Sequence, residues 1–173
     1  VEKFDERVDE FWEEISKNHR FIIERRMSYL NWRYCDIRGG GYLVKQAVEN
    51  GSILGYIVLR INLHREDYPI GYIVDLLALP DRVDVAEALV ADAMSYFDSN
   101  DINIVNYQTV RDHPYKRVLR KYGFLDSHIK IYLFYWSFGL EEELAALREG
   151  SGKDVYFSYG DIDSLPSSMP QAH

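Results

Sequence analysis

The sequence predicts an α+β (mixed α/β) fold: a central, mostly antiparallel sheet flanked by helices, with a helical cap at the N-terminus. Three observations lead there. Residues 42–79 read as three successive strands, the first two joined by Asn50-Gly51, a pair suited to a tight hairpin turn. Residues 83–100 then place Ala86, Leu89, Val90, Ala93, Met94 and Phe97 at helical spacing. A strand at 102–110 completes a strand–helix–strand unit after the meander.

Taken in order, residues 4–17 put Phe4, Val8, Phe11, Trp12 and Ile15 on one helical face, with acidic residues opposite. A second helical segment spans 21–30 and runs into Asn31-Trp32-Arg33-Tyr34, whose Trp32 and Tyr34 are expected to anchor the helix pair on the sheet. Gly39-Gly40-Gly41 lacks the Lys-Ser/Thr and helix of a phosphate loop and reads as a turn. Strands follow at 42–49, 52–63 and 70–79; the third is nearly all apolar, so both its faces should be covered. Asp81 is the expected N-cap of the helix after Pro80, with Asp84 near its third position. His113-Pro114 opens a short basic helix that Gly123 stops. A long aromatic strand at 124–137, a helix at 140–149 and a short strand at 155–159 complete the chain. The expected domain is 1–165, with a cap at 1–34, a core at 42–137, a C-terminal helix and strand at 140–165, and a frayed tail at 166–173.

The 173 residues are 47% hydrophobic and 28% charged, enough to bury a core without a metal or disulfide. The net charge of -8 argues against a nucleic-acid partner, because phosphates require a basic face. No apolar run approaches the roughly 20 residues of a membrane span. A single cysteine, Cys35, forms no internal disulfide, which is compatible with a cytoplasmic location. The five histidines are scattered, so no metal site is expected. The start at Val1 and a charged first segment suggest a piece of a longer protein, with an N-terminal domain missing from this chain.

Two stretches carry a resemblance. One is Gly71-Tyr72-Ile73-Val74-Asp75-Leu76-Leu77-Ala78-Leu79-Pro80 followed directly by a helix; the other is Tyr115-Lys116-Arg117-Val118-Leu119-Arg120-Lys121-Tyr122-Gly123-Phe124. Over roughly residues 42–137 the chain resembles the GNAT superfamily of acyl-CoA-dependent N-acyltransferases. Asn31-Trp32-Arg33-Tyr34 and the segment from Tyr156 to Asp163 are similar to a degenerate, acetyltransferase-like subgroup. The resemblance implies a central strand that splays from its neighbour and offers backbone groups at Leu77 and Leu79 to the pantetheine arm. It also implies a helix start at Arg82, Val85 and Ala86 that receives the pyrophosphate, with Arg117 near the nucleotide end. Acetyl-CoA would then be the co-substrate and a small-molecule or peptide amine the acceptor.

The pattern departs from the family in two places. Where the family has R/Q-x-x-G-x-G/A, this chain has Arg82-Val83-Asp84-Val85-Ala86-Glu87-Ala88, so Val85 and Glu87 replace the glycines that let backbone approach a phosphate. Aligned on Gly123-Phe124, Leu119 stands where many members have the tyrosine acid; Tyr115 and Tyr122 lie one turn before and after it, Tyr122 reads as a core aromatic, and Tyr115 is the candidate acid if the helix register shifts. Asp75, a carboxylate inside an apolar strand, is the candidate base, with a pairing to Arg60 as the structural alternative. His113, at the mouth of the expected cleft, is a further candidate base, and Asp161 with Asp163 reads first as a turn. The leading expectation is acetyl transfer to an amine. The alternatives are a catalytically inactive ligand- or partner-binding domain on the same fold, and an aminoacyl transferase of the Fem type, which the acidic charge disfavours.

Overall fold

Strand β1 (Leu43–Glu49) and strand β2 (Ser52–Asn62) form an antiparallel hairpin. Its turn residues Asn50 and Gly51 both have positive φ (51° and 87°), the conformation that Asn-Gly supplies at low steric cost. Strand β3 (Ile70–Ala78) pairs antiparallel with β2, and strand β4 (Ile104–Tyr107) pairs parallel with β3, giving the order β1-β2-β3-β4. The crossover between them is helix α3 (Val83–Asp98). The computed structural model describes residues 1–62, 68–110, 112–127, 145 and 154–162. The expected strand at 124–137 lies outside these residues from 128 onward, as do the expected helix at 140–149, apart from residue 145, and the tail.

Each face of the sheet carries its own core. On one, Ile57, Leu59, Ile73, Leu76 and Ala78 pack against the apolar stripe of α3 and against Val118 and Leu119 of α4 (Lys116–Lys121). On the other, Tyr56, Val58, Val74 and Leu77 meet Phe4, Val8, Phe11 and Ile15 of the N-terminal layer, whose helix α1 spans Arg7–Ser16. The predicted faces of α1 and α3 are the buried ones. Gly123 adopts φ 86° just after α4, and Phe124 N–H returns to the Leu119 carbonyl, a glycine-terminated helix end as expected.

Four expectations need correction. The segment at 21–30 is helical only over Met27–Leu30 (α2); Phe21 instead forms an isolated parallel bridge with Val155, and α2 continues into a π-helical turn, Asn31–Cys35. The short strand expected at 155–159 is reduced to that bridge, followed by a 3-10 turn at Tyr159–Asp161. Asp81 does not cap α3: the N-cap position is Arg82, which makes no side-chain cap, and its guanidinium pairs with the Asp84 carboxylate in the first turn. Trp32 does not anchor anything beneath the helix pair, being 63% exposed, whereas Tyr34 is buried.

A β-bulge interrupts β3 beside the site. Val58 pairs with Asp75, but Leu59 pairs with Ile73, so Val74 is an extra residue on β3. A bulge interrupts the alternation of side chains. Val74 and Asp75 therefore both point into the N-terminal layer, while Ile73 and Leu76 point towards α3. Alternation alone places Asp75 on the face of Leu77, and the bulge adds Val74 to that same face.

Candidate functional site

Asp75 has no exposed surface, and five donor groups surround it. Oδ2 accepts from Arg25 Nε (3.1 Å), the Tyr34 hydroxyl (3.1 Å) and the Tyr56 hydroxyl (2.9 Å). Oδ1 accepts from the Tyr156 hydroxyl (2.6 Å) and lies 3.3 Å from Ser158 Oγ. A buried charge is tolerated only when paired and hydrogen-bonded, and this one is both. Arg25 is equally buried; it donates Nη1 to the Ile23 carbonyl (2.6 Å) and places Nη2 2.6 Å from Asp161 Oδ1. Two carboxylates thus share one guanidinium. Burial raises the Asp161 pKa, and the charge of Arg25 opposes that rise. Burial also holds the hydroxyls of Tyr34, Tyr56 and Tyr156 well above their ordinary pKa, keeping them donors.

The cluster ties distant parts of the chain to the sheet. Phe21 and Tyr156 exchange a backbone bond, Arg33 donates to the carbonyls of Gly160 (3.0 Å) and Ile162 (3.1 Å), and Asp161 and Ser158 form a capping box. A Cβ on Gly160 would stand 1.9 Å from the Tyr34 hydroxyl, so only glycine fits there. The two segments singled out at either end of the sequence, Asn31-Trp32-Arg33-Tyr34 and Tyr156 onwards, meet at this point.

The parallel pairing ends at Ile73 and Tyr107, and beyond it the edge of β3 has no strand partner on that side among the described residues. The Leu76 and Ala78 backbone groups face this divergence. Tyrosines occupy both. The Tyr156 hydroxyl accepts from Leu76 N–H (3.1 Å), with the Leu76 carbonyl at 2.9 Å. The Tyr115 hydroxyl accepts from Ala78 N–H (2.8 Å) and donates to the Ala78 carbonyl (3.0 Å). Burial pushes the Tyr115 hydroxyl up to about 12. His113, also buried, stacks edge-on against Tyr107 and Tyr115 and accepts from Tyr115 N–H at Nδ1 (3.3 Å), which assigns its proton to Nε2, facing the Tyr107 hydroxyl (3.4 Å). Burial lowers the His113 pKa to about 3, so the ring is neutral. Tyr156→Phe should destabilise the protein by about 2–3 kcal/mol, read by denaturant unfolding, because it orphans the buried Leu76 N–H and removes a donor from Asp75.

The sequence-derived candidates separate into two places. Asp75, Tyr115 and His113 converge on the divergence of β3 and β4. Asp75 pairs with Arg25; Arg60 instead lies over the Tyr42 ring, 5.2 Å from its centroid. With its lone pairs committed to donors, Asp75 has no free one to take a proton from an amine. Leu79 N–H donates to the Leu54 carbonyl, and by alternation Leu77 also turns to β2, so the groups on the open side belong to Leu76 and Ala78.

The remaining candidates lie around the start of α3. Arg82 there forms ion pairs with Asp84 (2.9 Å) and Glu49 (3.2 Å). Val85 and Ala86 are buried, and a Cβ placed on Gly55 would come within 3.0 Å of Val85 Cγ1. Arg117 is exposed, and Glu87 pairs with Lys121. Cys35 is half-buried, and burial raises its thiol pKa, the opposite of an activated nucleophile. Asp163 lies outside the described residues. Among the described residues no cluster of His, Cys, Asp and Glu could hold a metal, and no helix is long and apolar enough to cross a membrane.

The residues that sequence reasoning missed are Arg25, Tyr56, Tyr156 and Ser158. One signal pointed their way: a carboxylate inside an apolar strand requires a cation and donors, although nothing in the sequence says which of the many arginines and tyrosines supply them.

No protein-family model matches the chain, and no curated protein matches it significantly. Solved structures do. A protein from Agrobacterium tumefaciens str. C58, whose assignment as an acetyltransferase is provisional, superposes with a TM-score of 0.57 at 18% identity, covering 72% of this chain and 91% of that one. An aminoglycoside 6'-N-acetyltransferase from Acinetobacter haemolyticus gives 0.54 at 17% identity, covering 78% and 97%. An aminoglycoside acetyltransferase from an uncultured soil metagenomic sample, solved with trehalose, gives 0.52 at 15%, covering 76% and 86%. The chain has the fold of the GNAT N-acetyltransferases. At these identities the likeness establishes architecture; the use of the fold must be argued from the site.

Proposed function

We propose that this chain is a non-catalytic binding domain built on the N-acetyltransferase fold, its donor groove closed by its own side chains. The observation that carries this reading is the pair of tyrosine hydroxyls on Leu76 and Ala78. These are the backbone groups that the diverging strands leave for a ligand's amide, and Tyr156 and Tyr115 satisfy them. The start of α3 supports the same reading. Val85 stands where close backbone approach is required, and Asp84 and Glu49 hold the Arg82 guanidinium that a pyrophosphate would need. The residues present do not fit CoA, and no catalytic step is derived through it. The domain's role is then recognition of a ligand or a partner protein.

A second reading, transfer of acetyl from acetyl-CoA to a small-molecule or peptide amine, is favoured by one feature: the divergence of β3 and β4 expected for that activity is present. It requires the Tyr115 and Tyr156 hydroxyls to leave β3. Calorimetric titration with acetyl-CoA and with free CoA at low salt separates the two. The first reading expects no heat of binding up to about 1 mM, a free energy weaker than about 4 kcal/mol. Micromolar binding would establish the second, and an amine screen with detection of released thiol would follow.

A further inference from the structure

Three residues of Asn31-Trp32-Arg33-Tyr34 have structural employment. Asn31 clasps Phe4, accepting from its N–H (2.8 Å) and donating to its carbonyl (2.9 Å). Arg33 reaches the carbonyls of Gly160 and Ile162, and Tyr34 reaches Asp75. Trp32 does none of this. It is 63% exposed and braced by the Tyr29 ring at 5.8 Å. The π-helical turn that turns Tyr34 inward leaves Trp32 outside, and such turns are frequent at functional sites.

Trp32 also forms one wall of a cavity of about 310 Å³, which Arg33, Asp36, Arg38 and Gly39 complete. We propose that this cavity is a saccharide-binding site for a single neutral pyranose ring. Its volume lies at the lower end of the roughly 300–1,000 Å³ usual for small-molecule sites, enough for one ring. The indole offers a flat apolar surface for the C–H face of a sugar. Beside it stand an acceptor and a donor: the Asp36 carboxylate and the Arg38 guanidinium, joined through Nε and Oδ1 at 2.9 Å. Arg38 holds the Asp36 pKa down to about 2, so the acceptor is ionised. An exposed pair of this kind is held weakly and can re-form around vicinal hydroxyls, each of which both donates and accepts. Charge narrows the ligand class. A free anion would meet Asp36, and a free cation would meet two guanidinium groups. A neutral polyol meets both with hydrogen bonds.

The proposal is independent of the closed donor groove, because it concerns a different surface and is read at a different side chain. The test uses the whole chain labelled with nitrogen-15, in which the indole N–H signals of Trp12, Trp32 and Trp136 are assigned through Trp32→Phe. D-glucose, D-galactose, N-acetyl-D-glucosamine and, as a charged comparison, D-glucuronate are titrated to about 100 mM, since a ligand of a dozen heavy atoms is expected to bind in the millimolar range. The expected result is a saturable shift of the Trp32 signal with at least one neutral sugar, with the Trp12 signal unmoved. Binding should weaken at least tenfold in Asp36→Asn and in Arg38→Ala, and glucuronate should bind more weakly than glucose. No saturable shift with any neutral sugar would overturn the proposal, as would equal shifts in the two variants.

Discussion

Asp75→Ala is expected to destabilise the protein by about 3–5 kcal/mol, the usual cost of removing one partner from a buried ion pair. The substitution leaves Arg25 buried beside Asp161 alone, and orphans the donors of Tyr34 and Tyr56. For a chain of this length, about 2–4 °C of Tm accompanies each kcal/mol, so a fall on the order of 10 °C is expected. Because typical domains hold only about 5–15 kcal/mol in total, partial unfolding at 37 °C would follow. Arg25→Met should be as damaging, leaving two carboxylates in apolar surroundings without their cation. The double variant should lose much less than the sum of the singles, since each single change already breaks the same contact. Additive losses, or a Tm fall below about 2 °C for Asp75→Ala, would show that the cluster does not hold the terminal segments to the sheet.

The second large effect is a loss of stability in acid that originates at His113. In the folded protein its pKa is lowered from 6.5 to about 3, chiefly by burial, with the charge of His19 adding to the shift and that of Asp75 opposing it. Below pH 6.5 the unfolded chain binds a proton that the folded chain refuses. The unfolded state then holds more protons, and stability falls with pH at up to about 1.4 kcal/mol per pH unit. The stability that neutral His113 contributes is fully present above pH 6.5 and is lost between there and about pH 3. Asp161 acts in the opposite sense. Its raised pKa means that its contribution is present in acid and lost as pH rises through the folded value. His113→Gln removes the titrating ring while keeping a polar side chain. Denaturant unfolding between pH 7.5 and about pH 4.5 should show a loss of a few kcal/mol in the unsubstituted protein and a distinctly flatter profile in the variant. Parallel profiles would place the acid sensitivity elsewhere.

The legible parts of this fold were those set by local periodicity and turn chemistry. The apolar stripes of α1 and α3, the Asn50-Gly51 turn and Gly123 after α4 each declare themselves within a few residues. The illegible parts depend on one inserted residue or on contacts across the whole chain. No local pattern marks Val74 as a bulge, and none names Arg25 as the partner that Asp75 meets on the Leu77 face. The segment at 21–26 has the composition of a helix start, but Phe21 pairs with Val155, more than a hundred residues away. Tyr115 was found as a residue type near the right place; its hydroxyl's engagement with Ala78 was not, because backbone partners of a side chain leave no trace in sequence. Tyr156 stood out only as the start of a segment with a family likeness, which did not say that it links Asp75, Leu76 and, through its backbone, Phe21.

The reading of a closed groove rests on two backbone amides, Leu76 and Ala78, and they can be observed directly. Amide exchange and nitrogen-15 spectra should be recorded with and without acetyl-CoA at about 5 mM, well above the concentration that fills a micromolar site. The account predicts that both amides are strongly protected in the free protein, that neither signal moves on adding acetyl-CoA, and that Tyr156→Phe and Tyr115→Phe deprotect Leu76 and Ala78 respectively. Saturable shifts of both amides with acetyl-CoA in the unsubstituted protein would mean that the tyrosines yield the groove to a donor, and would contradict the account at its centre.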